Sequence, residues 1–473
     1  MHQLKRGADG WRGIIGEQFS ISSAVHLSLA IAEFLKQKIG EGPILITYDG
    51  RLRSKETADS LVQALVESGI DIVYGGMQST PAASSALLSV GCSGAILVTA
   101  SHNPFYWNGI KLKISPGMPP SREDERMIEQ ILKEHRSLPS KKKGTVSIKK
   151  REDLFVGYAE RALCALSKEN IEAIRNRKFK IVVDALHGMS ADPFRAFFEK
   201  LGCDLTVLGG DPDPLFHGLL PDPMNPHSRM RIVKEMQRQR YDLGFISDGD
   251  GDRLCVLDER GVFVWPHDIL GLLFEEVVKK NLSQAGMAVT GPTGSITERI
   301  CKKMARSYVK TPVGFKHVSP YLKNKSALIA GGAVGEIGYA SENVDRDPLK
   351  SALLLLDCCL KSPLSLSGMI EKLHSCYGSS VYKQWTLSNF NQNEDELKAW
   401  GIRLVEHLGY RVKEIVSMDG QQFIIDDVAW ILIRRASTEN GIRIYAELHE
   451  KKELDELFEL ICNETGCVPE EKA

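Results

Sequence analysis

The chain has 473 residues, 43% hydrophobic and 26% charged, the profile of a globular protein long enough for three or four domains rather than one. Sixty basic residues against 61 acidic give a formal charge of −1, so the totals point to neither nucleic acid nor an anionic membrane as a partner. Ten scattered cysteines without a CxxC pair argue against a zinc or disulfide framework and read as reduced core residues. MHQLKRGADGWRG has no apolar leader and no stretch approaches 18 apolar residues, so a cytoplasmic location is expected.

In chain order, short apolar runs alternate with helical patterns: PILITYD, SKETADSLVQALVESG, IDIVYGG, TPAASSALLSVG and GAILVTA. That alternation predicts βαβ units around a parallel sheet. GAILVTA then runs into Ser101, His102, Asn103 and Pro104. A serine there sits at the carboxyl end of a strand, where open α/β sheets hold their ligands. It could equally cap a turn before the proline, and from these residues alone both readings stand. No G-x-S-x-G elbow is present. Adjacent strand residues face opposite ways, so a Ser101–His102 dyad is not expected.

The charged stretch 140–153 reads as an exposed linker or edge segment. After it the alternation restarts with KFKIVVDALHG, SADPFRAFFEKLG, CDLTVLGG, a long helix near 228–239, and LGFIS. SDGDGDR follows, placing Asp248, Asp250 and Asp252 around two glycines. Three carboxylates this close repel one another unless a cation lies among them, and glycine lets the backbone aim them at one point. An all-oxygen set without His or Cys suits Mg²⁺ or Mn²⁺. A Ca²⁺ loop of the EF-hand type would place Glu259 twelfth, but it needs glycine where Arg253 stands and helices on both sides.

A third α/β unit includes WPHDILGLLFEEVVKK, AVTGPTGSITERICKKMA, SYVKTPVG and ALIAGG. TGPTGS resembles a phosphate-cradling turn but lacks the Gly-Lys-Ser/Thr ending, and GGAVGEIG lacks the dinucleotide spacing. The last hundred residues mix alternating strands with flanking helices. The expected fold class is therefore α/β, three similar mixed-sheet domains followed by a smaller α+β domain.

TASHNP with NGIK, then DGDGDR, resembles the α-D-phosphohexomutase family, the phosphoglucomutase and phosphomannomutase enzymes. GADGWRG, YDGRLRS, STPA, VVDALHG, TPVGFK and VDRDPLKSALLLL extend the likeness over nearly the whole length. The resemblance implies four domains around a central cleft, placed at 1–152, 153–262, 263–376 and 377–473. It implies a phosphoserine at Ser101 and Mg²⁺ held by Asp248, Asp250 and Asp252 against the Ser101 phosphate. The implied reaction interconverts hexose 1-phosphate and hexose 6-phosphate through a sugar bisphosphate. His102, Lys111 and Arg12 would lie at the reacting centre, with Arg253 offsetting negative charge and Lys316 on the substrate side. The implied partner is a small phosphosugar, with a monomer or homodimer as the assembly.

Two loops depart from the family pattern. Its Gly-Glu-x-Ser-Gly sugar loop, counted without gaps from VGFK and from VDRDP, falls on Gly331 and then Gly332 and Val334 in place of glutamate and serine. Glu336 lies at the loop's far end, and takes over only if the loop is rebuilt. The phosphate-gripping loop is RRASTENG, with Arg434, Thr438 and the later Arg443 in register, Ala436 replacing a serine and Ser437 next to it. Altered sugar recognition leaves two rivals: a diverged phosphotransferase, for another sugar or making a bisphosphate, and a non-catalytic metal-binding scaffold.

Overall fold

The computed structural model describes residues 4–134, 142–279, 281, 283–390, 392–436 and 441–472. Three α/β sheets and one antiparallel sheet follow one another along the chain. The first has seven strands, ordered Lys5–Arg6, Trp11–Ile14, Trp107–Ile114, Gly94–Val98, Ile44–Tyr48, Ile72–Met77 and Val146–Ile148. The last of these lies in the charged stretch, fully exposed at the sheet edge.

A common core recurs in all three α/β sheets. Ile44–Tyr48 lies between Ile72–Met77 and Gly94–Val98, parallel to both, and Trp107–Ile114 returns antiparallel to Gly94–Val98. In the second sheet Lys180–Asp184 lies between Asp204–Leu208 and Leu243–Ile246, and Cys255–Leu257 returns antiparallel. In the third, Gly286–Thr290 lies between Tyr308–Thr311 and Ala327–Gly331, and Ile337–Tyr339 returns antiparallel. Helices cross between the parallel strands, as such connections require. Every residue of Ile44–Tyr48, Gly94–Val98 and Ala327–Gly331 is buried, which explains their unbroken apolar runs.

Helix boundaries follow cap chemistry. Ser79 accepts from the Ala82 amide at the start of Thr80–Val90, which ends at Gly91 in the left-handed region. Asn225 caps Pro226–Arg238, the helix expected near 228–239. The apolar run SALLLLDCCL lies in the helix Pro348–Lys361, buried in the shared core of the second and third units. Among the described residues no single helix is long and apolar enough to cross a membrane.

The final sheet has six strands, antiparallel throughout, with Trp430–Arg435 and Gly441–Leu448 near its middle. Glu394–His407 and Lys451–Thr465 cover one face through Trp400, Leu404, Leu457 and Ile461. All ten cysteines are free, but Cys164, Cys376 and Cys467 are exposed, so the expectation of core cysteines fails at these three.

Candidate active site

Each antiparallel return strand is preceded by a loop, and these three loops meet. In the first, Ser101 lies beyond the strand with φ 53°, in the left-handed region. Strand alternation therefore no longer applies, which corrects the argument that Ser101 and His102 face apart: Ser101 Oγ lies 3.4 Å from His102 Nδ1. A dyad still does not form. Arg253 Nη2 lies 2.7 Å from the same Nδ1, and a guanidinium only donates, so Nδ1 is the acceptor and the ring proton sits on Nε2. Ser101 Oγ instead donates to Asp248 Oδ2 at 2.6 Å.

The second loop carries Asp248, Asp250 and Asp252, flanked by strands and not helices. All three are buried, with ligand oxygens within 4.8 Å of one another. Gly251 has φ 76°, and a Cβ at Gly249 would stand 2.5 Å from the Ser101 carbonyl oxygen, so glycine there lets the two loops touch. Burial and then repulsion from Asp250 and Asp252 push the Asp248 carboxyl well above the usual carboxylate range. Burial is the largest influence on Asp250, but Lys111, Thr80 and Arg346 together outweigh it and hold that carboxyl below the usual range. Asp250 Oδ1 and Asp252 Oδ1 are buried without a hydrogen-bond partner. Orphaned carboxylate oxygens, mutual repulsion and an all-oxygen donor set fit a hard divalent cation.

Lys111 reaches this centre by strand periodicity. Along Trp107–Ile114, Ile110, Leu112 and Ile114 enter the core while Lys111 and Lys113 share the opposite face. Lys111 Nζ donates to Asp250 Oδ2 at 2.6 Å and Asp252 Oδ2 at 2.7 Å. Although burial opposes its charge, these aspartates and Asp9 raise its pKa, so it stays an ammonium. Arg12 Nη1 donates to Asn103 Oδ1 at 2.6 Å, and burial lowers its pKa from the ordinary arginine value. Arg253 also contacts Asp222 at 3.3 Å and Asp248 at 3.8 Å.

The third loop runs from Gly331 to Glu336. A Cβ at Gly332 would stand 2.6 Å from Thr290 Oγ1 and 2.8 Å from Glu336 Oε1. The Glu336 carboxylate thus lies beside the backbone of residue 332, and its Oε2 accepts from the Val334 amide at 3.2 Å. Val334 and Glu336 line the same cleft as Ser101, His102, Arg12 and Arg253. Burial raises the Glu336 carboxyl against the pull of Arg253. Arg434 and Arg443 line the far end, and lie directly opposite each other on adjacent strands. Arg434 also pairs with Asp419 at 3.3 Å. Ser437 and Thr438 lie outside the described residues. Lys316 is not brought to the cleft: its Nζ lies 2.8 Å from both Glu125 oxygens, tying the third unit to the first. The turn TGPTGS holds no open anion cradle, because Glu447 of the last sheet accepts from Ser295 N at 2.6 Å and Ser295 Oγ at 2.7 Å.

Several contributors escaped the sequence reading. Arg346 joins Asp9 and, at 3.2 Å, Asp252, while Lys113 pairs with Asp345 at 2.7 Å. Gln384 and Tyr445 line the cleft from the last sheet. Arg346 and Arg51 stand in the motifs VDRDP and YDGRLRS, but their contacts are long-range. Gln384 stands in no motif, and no local pattern marks it.

The geometry defines a cleft with a serine, an acid triad, the Glu336 loop and two opposed arginines drawn from four successive units. Models of phosphoglucomutase/phosphomannomutase α/β/α domains I, II and III match residues 3–138, 158–261 and 265–377. The chain belongs to the phosphoglucomutase/phosphomannomutase family. It is 28% identical over 461 residues to a phosphoglucomutase/phosphomannomutase of Thermococcus kodakarensis, covering 96% of each chain. It is 29% identical over 454 residues to a phosphoglucosamine mutase of Nautilia profundicola, again covering 96% of each. In fold it resembles a putative phosphomannomutase from Thermus thermophilus, with a TM-score of 0.83 at 24% identity, covering 99% of this chain and 100% of that one.

Proposed function

We propose that this protein is a Mg²⁺-dependent phosphohexomutase that interconverts hexose 1-phosphate and hexose 6-phosphate through phospho-Ser101. The observation that carries the reading is the 2.6 Å contact between Ser101 Oγ and Asp248, made across two domains inside a cleft whose far end holds Arg434 and Arg443. The relatives named above act on related phosphosugars, which supports the class of reaction.

In this reading Arg434 and Arg443 hold the phosphate that does not react, by charge-assisted hydrogen bonds. The free sugar hydroxyl then faces phospho-Ser101. The bond from phosphorus to Ser101 Oγ breaks as the bond to the sugar oxygen forms, the hydroxyl proton ending on Ser101 Oγ, giving a bisphosphate. After the sugar turns over, the other phosphoryl group returns to Ser101. Asp248, Asp250 and Asp252 would hold Mg²⁺, which when bound neutralises charge on the moving phosphoryl group. Lys111, kept charged, and Arg12 supply fixed positive charge to the transition state. His102 presents an Nε2–H donor. Glu336, placed beside Gly332, accepts hydrogen bonds from the sugar ring in place of a side chain at 332. That relocated carboxylate favours a second reading of specificity, a preferred hexose other than glucose or mannose.

The test is intact mass after incubation with glucose 1,6-bisphosphate, then turnover of glucose, mannose and glucosamine 1-phosphates with and without chelator. Expected are one phosphate on Ser101 and chelator-sensitive turnover of at least one sugar. Activity that survives Ser101→Ala or Asp250→Asn would overturn the mechanism. A phosphorylated protein inert on all three sugars would favour the altered-substrate reading.

A further inference from the structure

Arg51 does not line the cleft, yet its guanidinium organises the loop that does. It follows the first strand of the common core, and its side chain is wholly buried behind residues 101–107. Nη2 donates to the carbonyls of Ser101 and of Asn103, the latter at 2.7 Å. Nη1 donates to the Pro104 carbonyl at 2.9 Å and the Trp107 carbonyl at 3.4 Å. Asp49 balances the charge at 3.1 Å, and the Phe216 ring of the second domain lies 4.7 Å from the guanidinium. One side chain therefore gathers four carbonyls of a seven-residue loop onto a rigid fork of donors.

The Ser101 carbonyl is the most consequential of the four. Ser101 holds φ 53°, a conformation strained for a non-glycine residue that persists only where surroundings fix it. On its other side the carbonyl meets Gly249, where a Cβ would stand 2.5 Å away. It is thus held between the guanidinium and the backbone of the acid loop. That backbone posture aims Ser101 Oγ at Asp248.

We infer that Arg51 is a positioning residue for phosphoryl transfer, fixing the Ser101 backbone so that its oxygen meets the acid triad without touching substrate. The inference rests on Ser101 as the phosphoryl carrier. Lysine at 51 keeps the charge beside Asp49 but, as a single ammonium, does not span four carbonyls. Phe216→Leu leaves every charge in place and removes only the ring beside the guanidinium.

Wild type, Arg51→Lys and Phe216→Leu are compared for thermal midpoint, phosphate on Ser101, KM and kcat on the sugar that wild type turns over. The expected result is KM within about threefold for both folded variants, with kcat down about 100-fold for Arg51→Lys and several-fold for Phe216→Leu. A structural role alone lowers the folded fraction and leaves kcat per folded, phosphorylated molecule unchanged. Should Arg51→Lys fail to fold, Phe216→Leu carries the comparison. Wild-type protein without phosphate on Ser101 overturns the carrier reading and this inference with it. Phosphorylated wild type with folded variants of unchanged kcat overturns the role of Arg51 alone.

Discussion

Lys113 shows how much of the site's order is bought by buried charge. Its side chain is 0% exposed and lies 2.7 Å from Asp345 and 3.6 Å from Asp9. Removing one partner of such a set strands the others in low dielectric, at a cost of about 3–5 kcal/mol. Lys113→Met should lower the unfolding free energy from urea titration by that amount, with a lower midpoint, and adding Asp345→Asn should restore part of it. An unchanged midpoint in Lys113→Met would show that water reaches the pair. At Glu336, Gln keeps the shape but halves the acceptor capacity. Glu336→Gln should lower kcat/KM for the preferred sugar about 10-fold or more while leaving phosphorylation of Ser101 by bisphosphate intact. Equal loss of both would move Glu336 from recognition to the chemical centre.

At the scale of elements, Gly332 and Glu336 act together through one loop. Gly332→Ala places a methyl 2.8 Å from Glu336 Oε1, so its kinetics should follow those of Glu336→Gln. An alanine variant with native kcat/KM would separate the two residues. A pH effect belongs to the helices Pro266–Lys279 and Leu366–Tyr377, joined where His374 Nε2 lies 2.8 Å from Asp268 Oδ1. That hydrogen bond outweighs burial and raises the imidazole pKa above its ordinary 6.5. A raised folded-state pKa stabilises fully below the unfolded value and is lost as pH climbs through the folded one. Urea midpoints of wild type should therefore decline relative to those of His374→Gln as pH rises above the ordinary imidazole value of about 6.5. Parallel curves would show the pair to be neutral in effect.

The legible part of the site was the part written in contiguous residues. The acid triad, Ser101 and Lys111 lie in short strings whose strand context follows from flanking apolar runs. The failures share a cause. Ser101 and His102 were read by strand alternation, but the strand stops at Val98 and Ser101 takes a left-handed turn. Glu336 is separated in sequence from the aligned position and takes its place only through a rebuilt loop, and the hairpin brings it to within 2.8 Å of where a side chain at 332 would begin. Lys316 was assigned to substrate by its motif, and its partner Glu125 lies 191 residues away.

At the scale of the molecule, the second and third units share one apolar core, while polar contacts tie the last sheet to the third unit. Glu447 accepts from Ser295, from Ser380 Oγ at 2.6 Å and from Trp430 Nε1 at 2.7 Å, and Asp419 accepts from the Val313 amide at 2.9 Å. Glu447→Ala leaves several buried donors unsatisfied, each costing about 1–3 kcal/mol. Calorimetry should then resolve an early transition for the last domain, and turnover should fall with it. A single unaltered transition would place the docking energy elsewhere.

The three equivalent hairpins have a consequence for a chain still being made. Serine, acid triad and Glu336 leave the ribosome in succession, each on a unit that lacks the other two. A nascent chain therefore presents the serine loop before the acid triad that it meets in the finished fold. The cleft is complete only when the last sheet, made at the end, brings Arg434 and Arg443 to it.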